Sequence, residues 1–327
     1  AESAGQLADY LRRNPDVTLA DLGYTLSQRR SHLSHRRALI VDGIDDAQRQ
    51  LAAIADGTAG KKLVTANRSR SGAPKLAFVC TGMGAQWWKM CRGLLDVYPT
   101  FTESIKRSDR ALKPYMGWSL LDELRADESQ SRMAEPNVAQ SANFAVQVAL
   151  AEQLREFGVT PDAVIGHSAG EVTAHYLAGI LTFDQAVEVI FRRSQAAQSV
   201  KGLGGMLAIG LSSDSLFQTI DATTREEMGS RVSIAAINGP SAVVASGDRE
   251  ILGAIADQLT EVEIFNRFLN VDVPYHSHYM DSLRDDMLTA LSDLSPSPAQ
   301  IPVYSTVTGE LLDAESANGS YWWQNTR

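Results

Sequence analysis

The sequence is poor in cysteine, in long apolar runs and in positive charge. Cys80 and Cys91 are its two cysteines. That is too few for a secreted disulfide framework and points to a reducing, cytoplasmic setting. No apolar run approaches the roughly 20 residues needed to span a bilayer, and no signal-peptide pattern opens the chain. A net charge of −9 excludes broad binding to nucleic acid or to an anionic membrane. It leaves room for a local basic pocket. Metal spacing is also missing. His167 and His175 do not fall in an H-E-x-x-H pattern, and His276-x-His278 has no cysteine partners, so no metal is expected.

What is present suffices for a core. The chain has 327 residues, 44% of them apolar, which predicts about two domains without a staple. Residues 1–57 read as a small mixed unit. Leu7, Leu11 and the stretch Leu19 to Leu22 have helical spacing, Arg36 to Val41 reads as a strand, and Asp45 to about Ala55 as a helix. Residues 56–74 are basic and rich in glycine and serine, which is linker chemistry. Lys75 to Cys80 then reads as a buried strand entering the loop at Thr81-Gly82.

Further along, Asn143 to Phe157 has helical spacing with Gly158 at a C-cap position. Pro161 to Ile165 reads as a strand, Gly166 to Gly170 as a turn, and Glu171 to Ala178 and Phe183 to Val200 as helices. Strand 206–210, helix 212–220, strand 232–238, strand 242–246, helix 249–259 and a strand near 262–269 follow. That β-α-β-β-α-β order is the ferredoxin-like pattern.

The chemistry concentrates at Gly166-His167-Ser168-Ala169-Gly170. A serine between strand and helix, with glycines two residues either side, is the nucleophile-elbow pattern. The turn is too sharp for flanking side chains. It lifts the hydroxyl to a helix N-terminus, where backbone N–H groups can hold an oxyanion. The bland alternative is a glycine-rich turn with an idle serine. A serine nucleophile needs a base. His32 and His35 lie in the basic N-terminal part and read as surface residues. His167 adjoins the serine and points away from it, as a loop support. His175 reads as a packing residue on a helix. His276 and His278, in a turn-rich stretch after a strand, are the two candidates. Arg192 and Arg193 are adjacent on a helix, about 100° apart, so at most one faces a pocket. Two such arginines more often form a solvated face.

Taken together, five ordered segments resemble the acyltransferase domain of modular polyketide synthases and animal-type fatty acid synthases. They are Phe78 to Trp87, Gly166 to Glu171, Phe191-Arg192-Arg193-Ser194-Gln195, Tyr275 to Met280, and Tyr321-Trp322-Trp323-Gln324-Asn325. Nearly the whole chain is covered. The resemblance implies an α/β fold. An α/β-hydrolase-like large subdomain with a parallel sheet would span 74–203 and 271–327. A ferredoxin-like small subdomain would be inserted at 204–270. A small α+β linker domain, joining a ketosynthase to the acyltransferase, would occupy 1–73. The resemblance also implies that the chain is a piece of a longer, dimeric polypeptide and that a closing helix and strand follow Arg327.

The same resemblance implies roles. Ser168 would be the acylated nucleophile and His276 its general base, then acid, in a Ser–His dyad whose histidine is oriented by backbone carbonyls. The N–H groups of Met83 and Ala169 would form the oxyanion hole. Arg193 would pair with the free carboxylate of a malonyl-type group. Gln86, Asn325, His167 and Tyr275 would support the loop or contact substrate. The substrates would be malonyl-CoA or methylmalonyl-CoA and the phosphopantetheine thiol of an acyl carrier protein, with no bound cofactor. In Val273-Pro274-Tyr275-His276, the bulky Tyr275 beside His276 favours malonyl over its α-methyl homologue. Two rivals stand beside this reading. A serine hydrolase would take Asp248 or Asp272 as its third residue. A scaffolding domain would keep the fold and lose the chemistry.

Overall fold

The computed structural model describes residues 1–58, 63–67, 74–84 and 86–327. Contacts divide the chain into two units, Ala1–Pro74 and Lys75–Arg327. The first contains α1 (Glu2–Arg13), α2 (Leu19–Gln28), β1 (His35–Leu39), α3 (Ile44–Ala55) and β2 (Leu63–Asn67). Ala8 and Leu11 share one face of α1 and bury against Ala47 and Leu51 of α3. Thr18 caps α2 by accepting a 3.1 Å hydrogen bond from the Asp21 N–H.

One expectation fails here. Residues 56–74 are not linker throughout, because β2 pairs antiparallel with β1 from His35↔Asn67 to Leu39↔Leu63. Leu63-Val64-Thr65 has strand propensity that the glycines and basic residues around it obscured. Residues 59–62 and 68–73 of that stretch, and Ala85 of the 78–87 segment, lie outside the described residues.

The second unit begins with β3 (Ala77–Cys80), α4 (Pro99–Met116), α5 (Leu120–Arg125), α6 (Pro136–Glu156), β4 (Ala163–Gly166), α7 (Gly170–Leu177) and α8 (Phe183–Ser199). It continues with β5 (Gly205–Ile209), α9 (Ser213–Thr219), α10 (Ala222–Arg231), β6 (Val232–Gly239), β7 (Ala242–Gly247), α11 (Arg249–Glu261) and β8 (Asn266–Phe268). It closes with α12 (Arg284–Ala290), β9 (Val303–Tyr304) and α13 (Gly319–Thr326). The fold is α/β, as the sequence implied.

A three-stranded parallel sheet, ordered β3-β4-β9, forms one part. α7 packs on β3 and β4, and α4, α6 and α8 pack together beside it. Their core holds Phe101, Ile105, Leu112, Phe144, Val148 and Ile190. The second part is a four-stranded antiparallel sheet ordered β6-β7-β5-β8. This is the strand order that the β-α-β-β-α-β pattern makes when both helices cover one face. Ile251, Ile255 and Leu259 recur every four residues on α11 and bury against Leu207, Ile209, Val243 and Ala245.

α6 starts seven residues before the expected Asn143. Pro136 sits at its first turn, where a missing N–H costs nothing. Val138, Ala139, Gln140, Ser141 and Ala142 are all buried, so the first turns carry no amphipathic stripe to read. The polar α10 hides for the opposite reason, burying only Thr224 and Met228. The aromatic run Tyr321-Trp322-Trp323 is helical, in α13. Asn318 caps it, its Oδ1 accepting from the N–H groups of Ser320 and Tyr321 at 2.9 and 3.3 Å. Trp322 is fully buried, which fixes the following Asn325 and Thr326 against the serine turn.

Candidate active site

The turn after β4 is built by close approach. A Cβ on Gly166 would lie 2.2 Å from Glu171 Cα, and one on Gly170 would lie 2.1 Å from the Cys80 carbonyl oxygen. Only glycine fits at either place. Between them Ser168 adopts φ 52°, in the left-handed region, and His276 does the same at φ 59°. Such backbone costs a non-glycine residue about 1–3 kcal/mol and persists only where the surroundings hold it. The His167 N–H donates to the Cys80 carbonyl at 2.8 Å, and the Gly170 N–H to the His167 carbonyl at 2.9 Å. Ser168 Oγ is thereby lifted at the head of α7.

The structure brings Ser168 and His276 together across 108 residues of sequence. Ser168 Oγ lies 2.9 Å from His276 Nε2. His276 Nδ1 lies 3.1 Å from the Thr326 carbonyl oxygen. A carbonyl only accepts, so Nδ1 carries the proton and Nε2 accepts from the serine hydroxyl. Burial, and then the charge of Arg193, push the His276 pKa down to about 3. The ring is therefore neutral, and its basic nitrogen faces the serine.

Arg193 is the facing arginine of its pair. It is 4% exposed. Its Nη2 lies 3.4 Å from Ser168 Oγ and 3.4 Å from the Asn325 carbonyl, and its Nη1 donates to Gln140 Oε1 at 3.2 Å. Arg192 turns outward to Glu188, 3.4 Å away. Among the described residues Arg193 makes no ion pair, and its Nε has no partner. Burial lowers its pKa to about 10, with Glu171 offsetting part of the effect. With only the Glu171 charge nearby and no direct ion pair among the described residues, the buried guanidinium can still take a carboxylate.

Around this pair the other expected residues take distinct places. Asn325 Nδ2 donates to the Ser168 carbonyl at 3.3 Å and to Glu171 Oε2 at 3.0 Å. Gln86 Oε1 accepts from the Gly84 N–H at 2.8 Å and from Asn143 Nδ2 at 3.4 Å, bracing its own loop. His167 backs that loop, since a Cβ on Gly82 would meet its carbonyl at 2.8 Å. Met83, Gln86 and Tyr275 line a cleft of about 990 Å³ between the two sheets' parts. Burial raises the Tyr275 pKa to about 12, with Gln140 and the charge of Arg193 offsetting part of the rise. The Ala169 N–H, at the head of α7, carries no acceptor among the described residues.

Three contributors escaped the sequence reading. Gln140 is buried and accepts from Arg193 Nη1 through its Oε1. Glu171 is fully buried and accepts from the Thr306 N–H at 2.6 Å, Thr306 Oγ1 at 2.8 Å, the Tyr321 hydroxyl at 2.5 Å and Asn325. Thr326 contributes a backbone carbonyl, which no residue type announces. Neither aspartate proposed for a hydrolase reaches His276. Asp248 bonds instead to Tyr279 and Arg231, and the Asp272 carbonyl accepts from the Gly202 N–H at 2.7 Å. His175 is a packing residue, its ring between Tyr321 and Trp322.

Comparison with known proteins gives this geometry a family. Residues 77–327 match the family model described as acyl transferase domain, and residues 1–51 match one described as CurL-like, PKS C-terminal. The chain is 39% identical over 310 residues to polyketide synthase GfsB of Streptomyces halstedii, covering 94% of this chain and 5% of that protein. It is 37% identical over 325 residues to erythronolide synthase EryA3 of Saccharopolyspora erythraea, covering 99% of this chain and 10% of that protein. The chain thus spans a small fraction of the curated relatives it matches. Among solved structures, the acyltransferase domain from module 8 of the salinomycin polyketide synthase superposes with a TM-score of 0.89 at 32% identity, over 100% of this chain and 76% of that one. A Synechocystis malonyl-CoA:ACP transacylase superposes with a TM-score of 0.63 at 26% identity, over 77% of this chain and 80% of that one. The chain belongs to the acyl transferase domain family, as an acyltransferase of the kind that type I polyketide synthases carry.

Proposed function

We propose that this domain takes a malonyl group from CoA onto Ser168 and passes it to the phosphopantetheine thiol of an acyl carrier protein. The observation that carries the proposal is Arg193, a buried guanidinium with no direct ion pair among the described residues, 3.4 Å from the serine hydroxyl. A planar fork at that distance suits the free carboxylate of a malonyl thioester.

The proposed steps use the contacts described above. His276 Nε2 accepts the hydroxyl proton as Ser168 Oγ attacks the thioester carbonyl. The N–H groups of Ala169 and Met83 hold the oxyanion. The tetrahedral intermediate collapses, the C–S bond breaks, and the proton on Nε2 goes to the CoA sulfur. The carrier thiol then gives its proton to Nε2, attacks the acyl-serine ester and leaves with the malonyl group, returning the proton to Ser168. The Thr326 carbonyl keeps the proton on Nδ1 throughout and stabilises the imidazolium between steps. Tyr275, largely buried beside His276, crowds an α-methyl branch and favours malonyl. Residues 1–73 are read as the ketosynthase-side linker domain. A cytoplasmic location is part of the same proposal. Among the described residues, no helix is long and apolar enough to cross a membrane.

Intact-protein mass spectrometry after brief exposure to malonyl-CoA, methylmalonyl-CoA and acetyl-CoA tests the reading. The expected result is a malonyl adduct mapped to Ser168 and lost in Ser168→Ala. Release of free CoA without an adduct would overturn it in favour of hydrolysis.

A further inference from the structure

We infer that Asp248 is a positioning residue for His276, tying the histidine's segment to the ferredoxin-like subdomain through the Tyr279 hydroxyl. His276 holds a left-handed backbone at φ 59°, so the residues after it must be restrained. Locally, Ser277 Oγ donates to the Pro274 carbonyl at 2.7 Å, and the Met280 N–H to the Ser277 carbonyl at 3.0 Å. These bonds shape the turn without fixing it to anything else. One tie to the small subdomain is the Tyr279 hydroxyl, which donates to Asp248 Oδ1 at 2.7 Å, while Met280 of the same segment buries against Ala197 and Val200. His278 Nε2 lies 3.5 Å from the same oxygen.

Asp248 itself is anchored to the small subdomain twice. Arg231 Nε donates to its Oδ2 at 2.5 Å, and its own N–H donates to the Arg231 carbonyl at 3.0 Å. Its side chain is only 15% exposed, and its pKa is lowered because the bonds from Tyr279 and Arg231 outweigh its desolvation. Asp248 stands between β7 and α11, beside Gly247, where a Cβ would lie 2.1 Å from the Arg231 carbonyl. The carboxylate therefore has one fixed place on the subdomain. A second strut runs the same way. Arg327, next to Thr326, donates from Nε to Asp281 Oδ1 at 2.6 Å and from Nη1 to Ser233 Oγ on β6 at 3.4 Å. The cleft that would hold the thioester lies between the two parts, with Arg249 of α11 and Val273 on its walls. Moving the small subdomain would thus move the segment that carries the base.

The inference rests on the Ser168–His276 reading, and the test separates the two. Wild type, Asp248→Ala, Asp248→Asn and Tyr279→Phe are compared by single-turnover malonylation of Ser168. They are also compared by the rate of Ser168 labelling with a fluorophosphonate, which needs an activated serine but no acyltransferase chemistry. Tyr279→Phe loses one hydroxyl and leaves the packing in place. It and Asp248→Ala are expected to slow both reactions roughly five- to tenfold, with the KM for malonyl-CoA unchanged within about twofold, since Arg193 is untouched. Asp248→Asn keeps an acceptor for Tyr279 and is expected to recover most of the rate. Wild-type rates in Tyr279→Phe and Asp248→Ala would overturn the inference. So would a change confined to KM, or an Asp248→Asn as slow as the alanine. Labelling without malonylation in the wild type would instead sink the acyltransferase proposal.

Discussion

His276 Nδ1 donates to the Thr326 carbonyl at 3.1 Å, and that one contact decides which ring nitrogen faces Ser168. No carboxylate is needed for the choice, because a carbonyl oxygen cannot accept the ring in any other tautomer. A carbonyl also adds less field than an aspartate would, so the base strength is left to burial and to Arg193. Both lower the pKa, to about 3.

On the proposed mechanism, this sets the pH dependence of acylation. A general base works in its neutral form, above its pKa. The depressed value predicts that kcat/KM for Ser168 acylation stays level from pH 8 down through 6.5 and 5. An ordinary histidine would lose half the rate near 6.5 and about tenfold for each unit below. Rapid-quench measurement after brief pH jumps checks this. A half-maximal rate near 6.5 would mean that the working site is hydrated around the ring.

Arg193→Ala should act on charge rather than on fold-wide chemistry. Losing the charged hydrogen bonds to a malonyl carboxylate costs about 1.5–3 kcal/mol, or roughly 10- to 160-fold in kcat/KM. Acetyl-CoA, which has no free carboxylate, should lose far less and become a competing substrate. Equal losses for both acyl groups would assign Arg193 to positioning Ser168 instead.

These two residues show what the sequence could and could not disclose. Ser168 was legible because its chemistry is compressed into five residues between a strand and a helix. The ferredoxin-like sheet was legible because its strands and the helices α9 and α11 carry their own period. His276 and Arg193 needed the family resemblance, since His278 and Arg192 beside them have the same residue types. Gln140 stayed hidden inside a helix buried on every side, where a polar residue breaks no pattern. Glu171 looked like an ordinary first-turn acid of α7, while its role depends on Thr306, Tyr321 and Asn325, more than 130 residues away. Strand β2 was lost among glycines and basic residues.

Gln140 and Tyr275 should set acyl-group selection together. Tyr275→Ser opens the space beside the α-carbon and should raise methylmalonyl loading relative to malonyl by roughly tenfold or more, since a methyl group is worth about 1–3 kcal/mol in such a pocket. Gln140→Leu keeps the volume but removes the acceptor that holds one arm of the Arg193 fork beside Tyr275. It should lower malonyl loading and selectivity at once. Competition between the two CoA esters, read by adduct mass, distinguishes the variants. A selectivity unmoved by Tyr275→Ser would place the selecting wall elsewhere.

His175 should govern acid stability without touching catalysis. Its ring is fully buried between Tyr321 and Trp322, at centroid distances of 5.3 and 4.9 Å, and neither nitrogen has a partner among the described residues. Burial pushes its pKa down to about 3. The unfolded chain binds a proton there below about 6.5. Between those values the unfolded state therefore holds more protons, and stability falls as pH falls, by about 1.4 kcal/mol per unit for this group. His276 adds a term of the same sign. His175→Phe fills the same space, removes no hydrogen bond and cannot be protonated. Urea unfolding at pH 7, 6, 5 and 4 should show the variant within about 1.5 kcal/mol of the parent at pH 7. Its curve should be shallower below pH 6 by about 1.4 kcal/mol per unit. Parallel curves would mean that the native state takes up the proton at His175 without opening, and that the aromatic sandwich admits solvent.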